Sequence, residues 1–173
     1  AFDLPEEAIG AALSGAEPGP YRGRRVGAVG SVEFIDDSKA TNPHAALAAL
    51  EGLDRVVLIA GGVAKGIDLT PLRAAAPSLV GVVAIGEAAP MLAEVFTGIV
   101  PVHLAPSMEQ AVAVAARLSP QGGRVLLAPA CASFDMFRDY RDRGDQFADA
   151  VARLAGTGSD DQPDGAMKRE AHA

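Results

Sequence analysis

Cysteine is almost absent from this chain of 173 residues: Cys131 stands alone, so no intrachain disulfide can form, which suits a reducing compartment. No apolar run approaches the roughly 20 residues that cross a bilayer. Residues 1–7, Ala1-Phe2-Asp3-Leu4-Pro5-Glu6-Glu7, lack the basic region and apolar stretch of a signal peptide. The expectation is a cytoplasmic protein with no membrane partner. Positive charge is also short: 15 Lys and Arg face 22 Asp and Glu, for a net charge of −7. A nucleic-acid backbone is therefore not an expected partner. An initiating methionine is missing too, and the chain reads as a processed or excised piece of something longer. Lysine is scarcest of all. Of the 15 basic residues 12 are Arg and three are Lys; Lys168 sits in a polar stretch, leaving Lys39 and Lys65 in the body. An ammonium is a compact charge on a flexible stem and does not replace a planar guanidinium, so both positions call for inspection.

What is present is a core. Hydrophobic residues make up 49% and charged residues 21%, enough apolar surface for one domain and too little charge for a disordered polyampholyte. Residues 5–14 read as a short helix, with Pro5 at its start and acids in its first turn. Two Gly and two Pro between Gly15 and Pro20 mark a boundary. Arg24 to Asp37 reads as two strands joined by a tight turn at Gly30-Ser31. Four apolar runs follow: Arg55 to Ala60, Leu79 to Ile85, Val100 to Leu104 and Arg124 to Ala128. Helical patterns lie between and after them: His44–Leu53, Thr70–Ala76, Ala88–Phe96, Ser107–Leu118 and a long one from Phe134 to about Leu154. This alternation predicts an α/β fold, a Rossmann-like, mostly parallel sheet flanked by helices, with an antiparallel N-terminal hairpin strand. Residues 156–173, polar and rich in Gly, Ser, Asp and Pro, read as a disordered tail.

In an open α/β sheet, ligands bind beyond the carboxyl ends of the strands, and three strand-to-helix turns stand out there. Asp36-Asp37-Ser38-Lys39-Ala40-Thr41-Asn42-Pro43 packs polar groups before a helix that Asn42 would cap and Pro43 would open. Gly61-Gly62-Val63-Ala64-Lys65-Gly66 offers backbone amides for an anion nest and adds the Lys65 charge. It is neither a P-loop nor a G-x-G-x-x-G fingerprint. Ala128-Pro129-Ala130-Cys131-Ala132-Ser133 brings small residues to a helix start that Ser133 would cap. Each turn taken singly is also consistent with an ordinary capped or tight turn. Together they offer two lysines, hydroxyls from Ser38, Thr41 and Ser133, and helix N-termini. That set suits a small ligand carrying two carboxylates, or a carboxylate beside a phosphate. Cys131 reads as a buried thiol, His44 and His103 have no metal-ligand spacing, and the run from Arg138 to Asp145 reads as a solvated helix face.

The three turns, with Phe34-Ile35 before the first, Phe134-Asp135 and Phe137 after the third, and the Arg143-Gly144 pair beyond, resemble the C-terminal domain of the Mur ligases across roughly residues 20–155. The Asp-Ser-Lys-Ala-Thr-Asn block points to the D-glutamate-adding branch, because other branches and folylpolyglutamate synthases tend to carry Asp-Tyr-Ala-His there. The resemblance implies an ATP-dependent, amide-forming ligase of peptidoglycan-precursor synthesis. ATP would phosphorylate the carboxylate of UDP-N-acetylmuramoyl-L-alanine, and the amine of D-glutamate would attack the acyl phosphate. It also implies site roles. Thr41, Lys65 and Ser133 would hold the D-glutamate carboxylates, helped by the backbone near Tyr140, where relatives often have Phe. Asp37 would meet the ATP ribose and Arg22 the phosphates, while Lys39 would lie near the tetrahedral centre. The phosphate loop and the Mg²⁺ ligands belong to N-terminal and central domains that this chain does not show; residues 1–19 would be a linker or the end of the central domain. No metal ligand is expected here, and the chain alone would not turn over ATP.

Two other readings stay open from residues alone. One is a stand-alone module that binds an acidic amino acid or nucleotide without catalysis. The other, a nicotinamide-dependent oxidoreductase, lacks a glycine fingerprint after its first parallel strand.

Overall fold

Strands form where the chain runs apolar without interruption, and helices where it alternates at longer period. The computed structural model describes residues 19–157; the helix expected at 5–14 and nearly all of the expected tail lie outside them. The hairpin is β1 (Arg24–Val29) and β2 (Val32–Asp36), followed by helix α1 (Pro43–Leu50) and β3 (Val56–Gly61). A 3-10 helix (Thr70–Ser78) leads into β4 (Leu79–Ile85), α2 (Ala89–Phe96), β5 (Val102–Ala105), α3 (Met108–Leu118), β6 (Arg124–Ala130) and α4 (Tyr140–Thr157). The six strands form one sheet in the order β1-β2-β6-β3-β4-β5. Only β1 is antiparallel to its neighbour; the other pairings are parallel.

The continuous apolar runs are explained by burial on both faces. Every residue of β3 is buried, as is nearly all of β4 and β6. Alternate residues then divide between two cores. Val56, Leu58, Ala60, Val82 and Leu126 pack under α1, the 3-10 helix and α2, beside Leu50, Leu72 and Phe96. Val57, Ile59, Val83, Ile85 and Leu127 face α3 and α4, beside Val112 and Phe147. Phe34 of β2 meets Phe147 of α4 with ring centroids 6.2 Å apart.

Two helices depart from expectation. The stretch from Thr70 is a 3-10 helix running to Ser78, with a proline inside it at Pro77, where an α-helix would lose a backbone donor and clash. The last helix starts at Tyr140, six residues after Phe134. Asp139 Oδ1 accepts from the amides of Arg141 and Asp142 at 2.8 and 2.9 Å, the pattern of an N-cap. It is helical through Thr157, the last of the described residues. Elsewhere the local chemistry matches: Asn42 Oδ1 accepts from Ala45 N at 2.9 Å with Pro43 as first helical residue, and Ser107 caps α3.

Candidate functional site

The strand order settles which turns can cooperate. β2, β6 and β3 are consecutive neighbours and parallel, so the three turns leave the same end of the sheet side by side. They are also bonded to one another. Asp37 N donates to Leu127 O at 2.8 Å and Ala130 N to Ala40 O at 2.9 Å, joining the first turn to the third. Val63 and Ala132 form an isolated bridge, at 2.8 and 3.1 Å, that joins the second to the third.

Thr41 is half-buried in the first turn, its amide donating to Lys39 O at 2.9 Å. Ser133 in the third turn is 3% exposed. Neither hydroxyl makes a hydrogen bond among the described residues, which leaves both free for a ligand. Lys39 and Lys65 are exposed, and each ammonium lies over an aromatic ring: Lys39 Nζ is 5.3 Å from the Tyr140 centroid and Lys65 Nζ 5.1 Å from that of Phe134. Lys65 holds a left-handed backbone conformation, φ 51°.

Asp37 and Arg22 line a groove of about 310 Å³ with Lys39 and the small residues Ala40, Ala45, Ala48 and Ala49. Half-burial raises the Asp37 carboxyl above the usual range, and the Arg22 charge partly opposes it. An acid and a guanidinium beside a lining of small alanines offer an acceptor for a hydroxyl and a positive charge for an anion. Among the described residues no three His, Cys, Asp or Glu side chains gather as a metal site.

Three expectations are corrected. Gly61 and Gly62 of the second turn are needed for close packing against neighbouring strands. A Cβ on Gly61 would lie 1.9 Å from Ile85 O, and one on Gly62 2.1 Å from Ala132 O, so the space belongs to neighbouring strands. Gly62 N and Val63 N are taken by Ile85 O and Ala132 O, so the expected anion nest is limited to the amides of residues 64–66. Ser133 is no helix cap; its carbonyl instead accepts from Met136 N and Phe137 N in a turn. Finally, Ser38 is unavailable to a ligand. Fully buried, its hydroxyl donates to Tyr140 O at 2.7 Å and accepts from Arg143 Nε at 3.0 Å.

That last bond overturns the expectation of a solvated helix face at Arg143. Arg143 does not lie on a solvated face: it is fully buried, and its guanidinium also donates to Ser38 O at 2.8 Å and Cys131 O at 3.1 Å. It thus ties the first turn, the third turn and the start of α4 together. Burial lowers its pKa to about 10, so it stays charged at neutral pH. The Arg143-Gly144 pair carried the signal, since Gly144 falls in the first turns of a helix, where glycine is disfavoured. A Cβ at Gly144 would meet the Tyr21 ring at 2.4 Å and Asp36 Oδ2 at 2.7 Å. Tyr21 itself packs edge-on against Tyr140, centroids 5.8 Å apart, and donates to Asp145 at 2.8 Å. Tyr140 therefore contributes a ring face toward Lys39, while its carbonyl is occupied by Ser38. Cys131 behaves as expected: fully buried, its thiol is pushed up to about 11 by desolvation.

Comparison with known proteins bears on what this arrangement is. The family profile described as "Mur ligase, glutamate ligase domain" matches residues 21–131, well over half of the chain. The chain belongs to the Mur ligase family. Within it, UDP-N-acetylmuramoylalanine--D-glutamate ligase of Frankia casuarinae is 48% identical over 153 residues, covering 86% of this chain and 32% of the relative. The protein of the same name from Desulfotalea psychrophila is 45% identical over 140 residues, covering 80% of this chain and 31% of the relative. The chain thus spans about a third of the length of these relatives. Among solved structures, MurF ligase from Thermotoga maritima in complex with ADP superposes with a TM-score of 0.57 at 15% identity, over 88% of this chain and 36% of that one, a likeness of fold. The Mur ligase match contains Arg22, Asp37, Lys39, Thr41 and Lys65; Ser133 and Tyr140 follow just beyond it.

Proposed function

We propose that this chain is the amino-acid-holding part of an ATP-dependent ligase that adds D-glutamate to UDP-N-acetylmuramoyl-L-alanine in peptidoglycan-precursor synthesis. The observation that carries the reading is that the turns bearing Thr41, Lys65 and Ser133 leave three neighbouring parallel strands at the same end of the sheet and are bonded to one another through the backbone. Two hydroxyl donors and an ammonium meet the needs of a dicarboxylate better than those of a neutral or cationic substrate. The names of the relatives at 45–48% identity support the same substrate class.

The roles follow from chemistry. Lys65 neutralises one carboxylate of D-glutamate, and the Thr41 and Ser133 hydroxyls fix its orientation, leaving the amine free as nucleophile. Lys39 stands where negative charge develops when that amine adds to the activated carboxyl, and its charge is worth more there than in the ground state. ATP supplies the phosphoryl group that activates the carboxyl. Asp37 and Arg22, on the groove beside α1, are placed for its ribose and phosphates. Mg²⁺ and the nucleotide's phosphate cradle would come from the N-terminal and central domains that the longer relatives have room for. The isolated chain is therefore expected to be inactive.

The test is amide formation by the intact protein, with UDP-N-acetylmuramoyl-L-alanine and ATP supplied. Product with D-glutamate but not L-glutamate or D-alanine supports the reading. Absence of D-glutamate-dependent product overturns it and favours a binding module.

A further inference from the structure

Every ion pair among the described residues uses arginine. The two lysines among the described residues make no ion pair there, and each ammonium lies over an aromatic ring, Lys65 over Phe134 and Lys39 over Tyr140, a ring that Arg141 also faces at 5.6 Å. In a chain with only six Phe and two Tyr, this pairing is a pattern to be explained. Phe134 sharpens it. At 65% exposure it is the most exposed large hydrophobic side chain among the described residues, so burial does not account for a phenyl group there.

We propose that Phe134 is a positioning residue, whose ring seats the Lys65 ammonium in the place from which it receives a substrate carboxylate. The inference deepens the ligase reading and rests on it for the identity of that carboxylate. The chemistry favours a ring over an acid for this task. A carboxylate partner would neutralise the lysine and compete with the incoming substrate for its donors. The ring's negative face attracts the ammonium while leaving the net charge and N–H groups available to the ligand. A lysine stem has several rotatable bonds, and ordering it on binding opposes affinity. A seat occupied beforehand removes part of that opposition. The backbone is arranged to match. The Val63–Ala132 bridge fixes the second turn against the third, and Lys65 takes a left-handed conformation beside Gly66, also left-handed at φ 76°. Tyr140 seats Lys39 in the same manner on the other side of the site.

The seat can be read without catalysis. With only three lysines in the chain, ε-¹³C-lysine labelling gives a spectrum simple enough to assign by substitution. A ring face shifts the lysine ε-methylene protons upfield, relative to the same chain unfolded in urea. The expected result is an upfield signal for Lys65 that returns to its unfolded position in Phe134→Leu and persists in Phe134→Tyr, while the Lys39 signal does not move. The unmoved Lys39 signal also reports that the variant is folded. In the intact ligase, Phe134→Leu should raise the KM for D-glutamate roughly threefold, with kcat and the KM for ATP unchanged, and Phe134→Tyr should restore it. A Lys65 signal at its unfolded position in the wild type overturns the seat. A seat present in the spectrum with KM unmoved by Phe134→Leu overturns its positioning role. If the wild-type protein makes no D-glutamate product, the ligase reading fails and the substrate half of this inference with it. The spectrum still decides whether Lys65 is seated.

Discussion

Arg143 carries a charge into the interior with no ion-pair partner among the described residues, and three acceptors compensate it: Ser38 Oγ, Ser38 O and Cys131 O. A planar fork can serve acceptors in several directions at once; an ammonium on a thinner stem cannot. Arg143→Lys is therefore expected to lower the stability of the chain by about 2–4 kcal/mol, measurable by urea unfolding. A loss under about 0.5 kcal/mol would show that the guanidinium is not what ties the turns together. Gly62 is constrained just as firmly. Its φ of 120° is foreign to side-chain-bearing residues, and a Cβ would press into Ala132 O. Gly62→Ala should cost about 2–3 kcal/mol and break the Val63–Ala132 bridge, visible as lost amide-exchange protection at Val63.

At the scale of elements, α4 depends on a residue just outside it. Removing the two hydrogen bonds that Asp139 accepts should destabilise the chain by about 1 kcal/mol in Asp139→Ala, and much less in Asp139→Asn. Equal losses in both would refute the cap. This is also where the sequence misleads. Ser133 and Asp139 are both good caps, and the apolar pattern through Phe134 and Phe137 continues plausibly into α4. What decides between them is tertiary: Ser133 is held by the bridge at Ala132, and its carbonyl closes a turn. The strands were legible because burial on both faces writes itself as continuous β-branched runs, as in β3 and β4. The cap of α1 was legible because Asn42-Pro43 is a local signal. The space around Gly61 and Gly62 was not, because what fills it comes from β4 and from the turn after β6.

For the molecule as a whole, the sheet order brings three separate turns to one end of the sheet, and it also buries acid. Asp36 ends β2 at 3% exposure, with Oδ1 accepting from Ser38 N at 2.8 Å. Desolvation raises its pKa from 3.8 to about 6; Asp37 and Asp145 push the same way, while Ser38 N and Arg143 oppose. A carboxyl with a raised folded-state pKa binds its proton more tightly when folded. Its stabilising contribution is therefore complete below about pH 4 and is lost as pH rises through about 6. Relative to Asp36→Asn, which keeps the acceptor for Ser38 N, the wild type should lose about 2 kcal/mol of stability between pH 4 and 7. Parallel stability profiles for the two proteins would contradict the burial of an ionisable Asp36.

In the proposed ligase, this end of the sheet holds a dicarboxylic amino acid, with Lys65 as its main charge. The most direct measurement is the KM for D-glutamate of the intact ligase carrying Lys65→Met, which keeps the length of the stem and removes the charge. Loss of a charged contact to a carboxylate should raise that KM roughly 100-fold with the KM for ATP unchanged. An unchanged KM for D-glutamate would contradict the assignment of the site.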